Sequence, residues 1–544
     1  MVLLLRCSLV FFLCLGFSFG VVIDAVNLKK EPKSLAKDYY FYRLLTEGNY
    51  TKDDVYTLRD DVYRYKGRLK TAIEKVIGSK PEVVSQCEMA YPNIMDANES
   101  CQIKLLYMSR VLNLSNEDRN KLIEKYQSSY PNSANMLMGL NSKDPALYYE
   151  KTLDSLNFIT YYNIYNKNKN FDKSYNLNFI NKLINEKRFE NTIKSFVINK
   201  NMSKFRKSLL KADPKNSYSY NVAFYLGVNA LLFDKPDIAI KFFKQAANMT
   251  SYQSFKDNAN FWVYYLSKDK TTLLDIANSD DINIYSIYAR ELASVNKKDI
   301  FVPRPKVASL KYYSVSDPFT WEYTKKTIKD MNSSQLTDFA AKFYTIDTVG
   351  HYSYMMEKAS NYKNHYYPMA YDYLLDGVDV HRKALIFALA RQESRFIPSA
   401  ISVSYALGMM QFMPFLANDI GKKQLNIENF DQDDMFKPEV AYKFANVHLD
   451  YLEKYLYHPI FIAYAYNGGI GFTKKMLVND AMFLKGKYEP FLSMELVKAD
   501  ETRDYGKKVL ANYVVYLNAL DANTSIQKLF EMLVQSEPMD KFRN

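Results

Sequence analysis

Apolar residues return at spacings of three and four almost without interruption from about residue 30 to residue 295, and that period commits this half of the chain to α-helices. The stretches Tyr39–Leu45, Val62–Val76, Ile103–Leu112, Phe179–Leu183 and Ile193–Leu210 carry it, and breakers such as Lys80-Pro81 and Asp213-Pro214 fall between them. Within Ala223–Ala247, the groups Tyr225-Leu226-Gly227, Ala230-Leu231-Leu232 and Phe242-Phe243 read as a helix pair of tetratricopeptide type. The pair turns at Lys235-Pro236, and Ala259–Leu266 opens the next one. Pairs stacked in this way build a degenerate helical solenoid, whose curved surface is a platform for binding. An ordinary multi-helix bundle would satisfy the same pattern.

A chain of 544 residues is too long for one hydrophobic core, so two or three domains are expected. Its 72 Lys and Arg against 60 Asp and Glu leave a net charge of +12, which draws a protein toward polyanions: nucleic acid, lipid surfaces or a cell wall rich in carboxylates. No nucleic-acid-binding motif and no block of like charge accompanies that excess, so nucleic acid is not an expected partner. Arg6, then the apolar run Leu9–Phe19, then Ser18 and Gly20 fit a secretory signal peptide over residues 1–20. A membrane anchor is the alternative. No later run is long enough to span a bilayer, so membrane contact is expected to be peripheral at most. Beyond that leader stand Cys87 and Cys101, which in an oxidising compartment read as one disulfide closing a short loop, or else as two buried thiols. With five His residues and no ligand spacing toward these cysteines, no metal is expected.

Asn296–Leu310, with Pro303 and Pro305, is a natural boundary. Residues 311–365 are again helical, and from about 366 glycines and turns concentrate. Here Val380–Ser394 reads as one helix with Asp379 as its N-cap. Leu385, Ile386, Leu389, Ala390 and Glu393 share its buried stripe. Glu393 therefore meets two penalties as an anion, desolvation and the negative end of the helix dipole, and both raise its pKa toward that of a general acid. A surface Glu paired with Arg391 or Arg395 is the competing reading.

The surrounding text adds four ordered motifs: Glu393-Ser394-x-Phe396, Ala406-Leu407-Gly408-Met409-Met410-Gln411-Phe412-Met413-Pro414, Ala465-Tyr466-Asn467-Gly468-Gly469, and Glu495 followed by Glu501-Thr502-Arg503-Asp504-Tyr505. Together they resemble the catalytic signature of the soluble lytic transglycosylases. The resemblance covers the C-terminal third and extends more loosely to the helical N-terminal region. Tyr405 stands where that family usually has Gly, Val403 where it often has Pro, and Leu407 where a small polar residue is frequent, so the loop after Glu393 is expected to take its own path.

The resemblance implies a mostly α protein. A superhelical ring of tetratricopeptide-like pairs (21–300) and a helical linker domain (301–365) would precede a lysozyme-like catalytic domain with minor β structure (366–544). It implies cleavage of the β-1,4 bond between N-acetylmuramic acid and N-acetylglucosamine without water, through attack of the muramic 6-hydroxyl, with Glu393 as acid and then base. Ser402, Met410, Gln411, Tyr464, Tyr466, Asn467, Glu495 and Tyr505 would serve substrate binding, with Phe412, Tyr464 and Tyr466 as sugar-stacking candidates. The implied setting is the periplasm. The implied partners are peptidoglycan glycan strands and other cell-wall enzymes, acting on a monomer without metal or other cofactor. A lysozyme-like hydrolase and a non-catalytic wall-binding scaffold are the rival readings. The acidic run Asp431, Asp433 and Asp434 is expected to be a solvated loop.

Overall fold

A computed structural model describes residues 24–79, 86–165, 171–296, 300–535 and 539–543; the expected signal peptide lies outside them. The described residues are mostly helical, and their one sheet pairs Ile300–Phe301 with His365–Tyr366 in parallel. Among them no helix is long and apolar enough to cross a membrane. They gather into two compact units that alternate along the chain. One takes Met1–Lys80, Tyr312–Asp330 and Pro398–Ala441; the other takes Pro81–Lys311, Met331–Ile397 and Tyr442–Asn544.

In the larger unit the expected helix pair forms as Tyr220–Leu232 and Pro236–Asn248, with Asp234 at φ 52° in the turn and Pro236 at the first helical position. Each helix then packs on the next through Gln253–Ser267, Lys270–Ala277 and Ile284–Ala293, the neighbour-on-neighbour order of a repeat array. Three stretches read as helical are interrupted, among them Ile103–Leu112, between Glu99–Leu105 and Met108–Val111. Ile193–Leu210 divides into Ile193–Ile198 and Ser203–Leu209, because the Asn199 side chain accepts from the Asn201 N–H at 3.0 Å and closes a local turn. In the smaller unit, Val62–Val76 is helical only from Gly67: the buried Asp38 carboxylate accepts from the Tyr63 and Arg64 N–H groups at 2.8 and 2.7 Å and holds that segment extended. Cys87 and Cys101 form a disulfide.

The core beneath the C-terminal motifs is the 20-residue helix Asp500–Ala519, against which Val380–Ser394 and Pro459–Gly468 both pack. Gly506 permits the second contact, since a Cβ there would lie 2.2 Å from a Tyr464 ring carbon.

The smaller unit holds the loop after residue 398. Leu407 and Phe412 exchange backbone hydrogen bonds at 2.9 and 3.0 Å around a turn that needs Gly408 at φ 76°. Tyr405, at φ 64° where glycine would be at ease, is held by the rings of Tyr39 and Tyr42, 5.8 and 5.5 Å away on helix Leu35–Glu47. The expectation of a solvated acidic loop is corrected here. Asp431 and Asp433 both take the Arg43 guanidinium, at 2.7 and 2.9 Å, and Asp433 also accepts from the Tyr39 hydroxyl at 2.6 Å. A Cβ on Gly408 would meet the Met435 carbonyl oxygen at 2.0 Å, in a backbone region that side chains avoid. Gly408→Ala should therefore destabilise this unit by about 1–3 kcal/mol, read as a lowered thermal midpoint with early proteolytic cutting in residues 398–441.

Candidate active site

Helix Val380–Ser394 forms as read, and the Asp379 side chain accepts from the N–H groups of His381 and Arg382. Glu393 is its penultimate residue, and Arg395 ends it in the left-handed region at φ 59°. The sequence left Arg391 and Arg395 as candidate partners for Glu393, and the structure gives both to another carboxylate. Glu357, on helix Val349–Ala359 and 2% exposed, takes Arg391 on Oε1 and Arg395 on Oε2, each at 2.7 Å. Its Oε1 also accepts the Tyr366 N–H at 3.0 Å, while Arg391 donates to Asn512 at 3.1 Å and lies 4.0 Å above the Tyr367 ring. The flanking cations are thereby occupied.

Glu393 instead accepts one hydrogen bond on Oε1, from the Tyr505 hydroxyl at 2.7 Å. Burial pushes its pKa up to about 7, the Tyr505 bond opposes the rise, and the charge of Glu501 adds to it. With Oε1 engaged as acceptor, the proton of the neutral acid sits on Oε2, available for donation. The Tyr466 and Tyr505 phenols are both held well above their ordinary range, chiefly by burial and also by the Glu393 charge, which ties them to the same site. Asn467 accepts the Thr502 hydroxyl on Oδ1 at 2.7 Å, an arrangement that turns its Nδ2 donor toward other acceptors. The Tyr466 ring meets His448 edge-on at 5.5 Å, and burial holds His448 neutral, its pKa pushed down to about 4.

Three expected substrate contacts are corrected. Glu495 is 1% exposed, with Oε1 taken by the Tyr285 hydroxyl at 2.8 Å and Oε2 by Lys507 at 2.7 Å, so it joins the helix Ile284–Ala293 to Asp500–Ala519 and offers no oxygen to a sugar. Tyr464 is fully buried against Gly506 and cannot stack on a ligand. Met410 is a buried core residue of the smaller unit, as is the stacking candidate Phe412.

In that unit Ser402 spends its hydroxyl oxygen on the N–H groups of Ser404 and Ala406, at 3.2 and 2.9 Å. Gln411, at φ 50°, donates through Nε2 to the carbonyls of Ala400 and Gly408 at 3.1 and 2.8 Å. That orientation fixes the amide so that Oε1 is its remaining acceptor. The residues that sequence reasoning missed are Glu357 and Thr502. The two arginines bracketing Glu393 signalled a nearby anion, and nothing local said which.

A cavity of about 430 Å³ in the larger unit opens at the far end of the same helix, around Asp379, Arg382 and Glu453. Arg382 is already paired there with Asp450 and Glu453 at 2.9 and 2.5 Å, so that cavity is not where the perturbed acid sits.

Because Tyr505 lowers the pKa of Glu393 and Glu501 raises it, two substitutions should move a pH–rate profile in opposite directions. Activity that needs protonated Glu393 falls as pH rises through about 7. Tyr505→Phe should shift that limb upward with a roughly tenfold loss of kcat, and Glu501→Gln should shift it downward with little loss. The same raised pKa couples to stability: its contribution is complete below the ordinary carboxyl value of 4.5, is lost as pH rises to about 7, and is absent above that.

A helix ending in a carboxyl whose pKa burial raises to about 7, with one phenol donating to it, is an arrangement suited to general-acid chemistry. Residues 379–488 match the family model described as the transglycosylase SLT domain, and the match contains Glu393, Ser402, Gln411, Tyr466 and Asn467 while Glu495 and Tyr505 lie beyond it. Residues 379–488 thus resemble a transglycosylase SLT domain, and the chain resembles the soluble lytic transglycosylases. It is 31% identical over 156 residues to a soluble lytic murein transglycosylase of Salmonella typhimurium and 30% identical to one of Escherichia coli K12. Each alignment takes 28% of this chain and covers only 23% of the relative's length. The crystal structure of the 70 kDa soluble lytic transglycosylase of Escherichia coli aligns at 16% identity with a TM-score of 0.49, covering 91% of this chain and 93% of that one. That of an inactive mutant of lytic transglycosylase Slt from Pseudomonas aeruginosa aligns at 15% identity with a TM-score of 0.39, covering 91% and 88%.

Proposed function

We propose that this protein cleaves the β-1,4 bond between N-acetylmuramic acid and N-acetylglucosamine in peptidoglycan, releasing 1,6-anhydro products. The observation that carries the reading is the isolation of Glu393: a carboxyl whose pKa burial raises to about 7, bonded only to a phenol, with the adjacent arginines committed to Glu357.

In the first step Glu393 Oε2–H protonates the glycosidic oxygen, the bond from that oxygen to the muramic anomeric carbon breaks, and the glucosaminyl portion leaves as an alcohol. In the second, the Glu393 carboxylate takes the proton of the muramic 6-hydroxyl while that oxygen closes on the anomeric carbon. One group gives and recovers one proton, no water enters, and a second catalytic carboxylate is not required, unlike in most glycosidases. Tyr505 orients Glu393 throughout. Asn467 Nδ2 suits the carbonyl of an N-acetyl group, and Tyr466 bounds the site. On this reading the enzyme works in the periplasm as a monomer on glycan strands, alongside other wall enzymes, with residues 366–544 supplying the chemistry and the helical residues before them a binding platform.

Mass spectrometry of digested cell wall tests the reaction. The expected products are one water lighter than those of a hydrolase, and hydrated reducing ends alone would assign the fold to hydrolysis instead.

A further inference from the structure

The stacking candidates named from the sequence are largely buried, yet the larger unit carries a run of rings whose outer members, Tyr451 and Tyr455, are exposed. From Tyr466 at the acid site, ring centroids step to His448 at 5.5 Å, to Tyr451 at 6.2 Å, to Tyr455 at 5.8 Å and to Phe542 at 5.2 Å. His448 and Tyr451 are three residues apart on helix Pro438–Glu453 and so share a face. Tyr451 and Tyr455 are 42% and 36% exposed, far more than packing requires of a tyrosine that serves only the core. The outer end of the run is built, not incidental. Backbone bonds from Tyr457 N–H to the Met539 carbonyl (3.0 Å) and from Lys541 N–H to the Tyr455 carbonyl (2.7 Å) tie the C-terminal segment down and lay Phe542 flat beside Tyr455, at 11° between planes. Two lysines line the strip: Lys474 sits 5.3 Å over the Phe542 ring and Lys541 5.5 Å over that of Tyr457.

We propose that the His448–Tyr451–Tyr455–Phe542 face is a distal saccharide-stacking site that holds the glycan strand of peptidoglycan as it extends away from Glu393. The inference rests on the function proposed above. Its occupant follows from three features. The strip is continuous with the acid site through Tyr466. Aromatic faces pack on the apolar faces of sugar rings, their phenol hydroxyls serving the sugar's own hydroxyls. The flanking ammonium groups match a strand whose lactyl and stem-peptide carboxylates are anionic.

The test separates binding from turnover. Glu393→Gln protein is titrated with N-acetylated β-1,4 oligosaccharides of two and of eight or more sugars, with and without Tyr451→Ala plus Tyr455→Ala. The double change is expected to weaken binding of the long chain about tenfold and to leave the short chain unaffected. In the otherwise native enzyme it should raise KM on intact wall with kcat unchanged, while Tyr451→Phe plus Tyr455→Phe should restore affinity at an equal melting temperature. Equal loss on short and long chains, or no loss on either, overturns the strip. Neither result touches the acid, whose own failure would show instead as undiminished cleavage by Glu393→Gln alone.

Discussion

Glu393→Gln is expected to lower the rate of wall cleavage by about 10²–10⁴-fold while leaving binding to the wall intact. The amide keeps the volume of the carboxyl, and its oxygen can still accept from the Tyr505 hydroxyl that now lies 2.7 Å from Oε1, so the helix end has no reason to rearrange. What is lost is the transferable proton, and with it both steps of the proposed reaction. Native-like melting together with released-sugar assays at the background rate would carry the assignment. Unchanged turnover would remove Glu393 from the chemistry and return the chain to a binding role.

The second large effect is structural. Glu357→Gln should cost about 3–5 kcal/mol of stability, because it strips the charge from the partner of the buried Arg391 and of Arg395 while leaving those cations in place. Unfolding in urea should show the loss as a fall in midpoint. A double variant that also replaces Arg391 by Met should recover part of it, since the uncompensated buried charge is then gone. A loss under 1 kcal/mol would mean that water or another anion reaches the arginines, and the isolation of Glu393 would then need another cause.

How much of this was legible beforehand differs by element. Helix Val380–Ser394 and its Asp379 cap were readable residue for residue, since a cap acts on N–H groups two or three positions away. The turn at Lys235-Pro236 was readable for the same reason. The break inside Ile193–Leu210 was not: periodicity continues across Asn199, and the side-chain hydrogen bond that closes a turn there leaves that periodicity unchanged. At the site, the suspicion about Glu393 came from its stripe and helix end, but its freedom from Arg391 required Glu357, 34 residues away in sequence from that arginine. Glu495 looked like a sugar ligand because its motif sat in the right order; that it is buried depends on Tyr285, 210 residues earlier.

The sequence by itself determined the helical character of the described residues, the ends of the key helix, the place of Glu393 on it and the order of the motifs around it. All of these arise from interactions within about one helical turn or from residue identity alone. Only the tertiary structure decided which charges are spent on each other and which surfaces remain open: Arg391 and Arg395 on Glu357, Arg43 on Asp431 and Asp433, Tyr464 inside, Tyr451 and Tyr455 outside. Desolvation and ion pairing are set by whichever distant segment packs against a group, and Arg43 meets Asp431 across 388 residues of chain. The raised pKa of Glu393 combines the two kinds of information, a carboxyl placed by local rules and desolvated by the distant segments that pack around it.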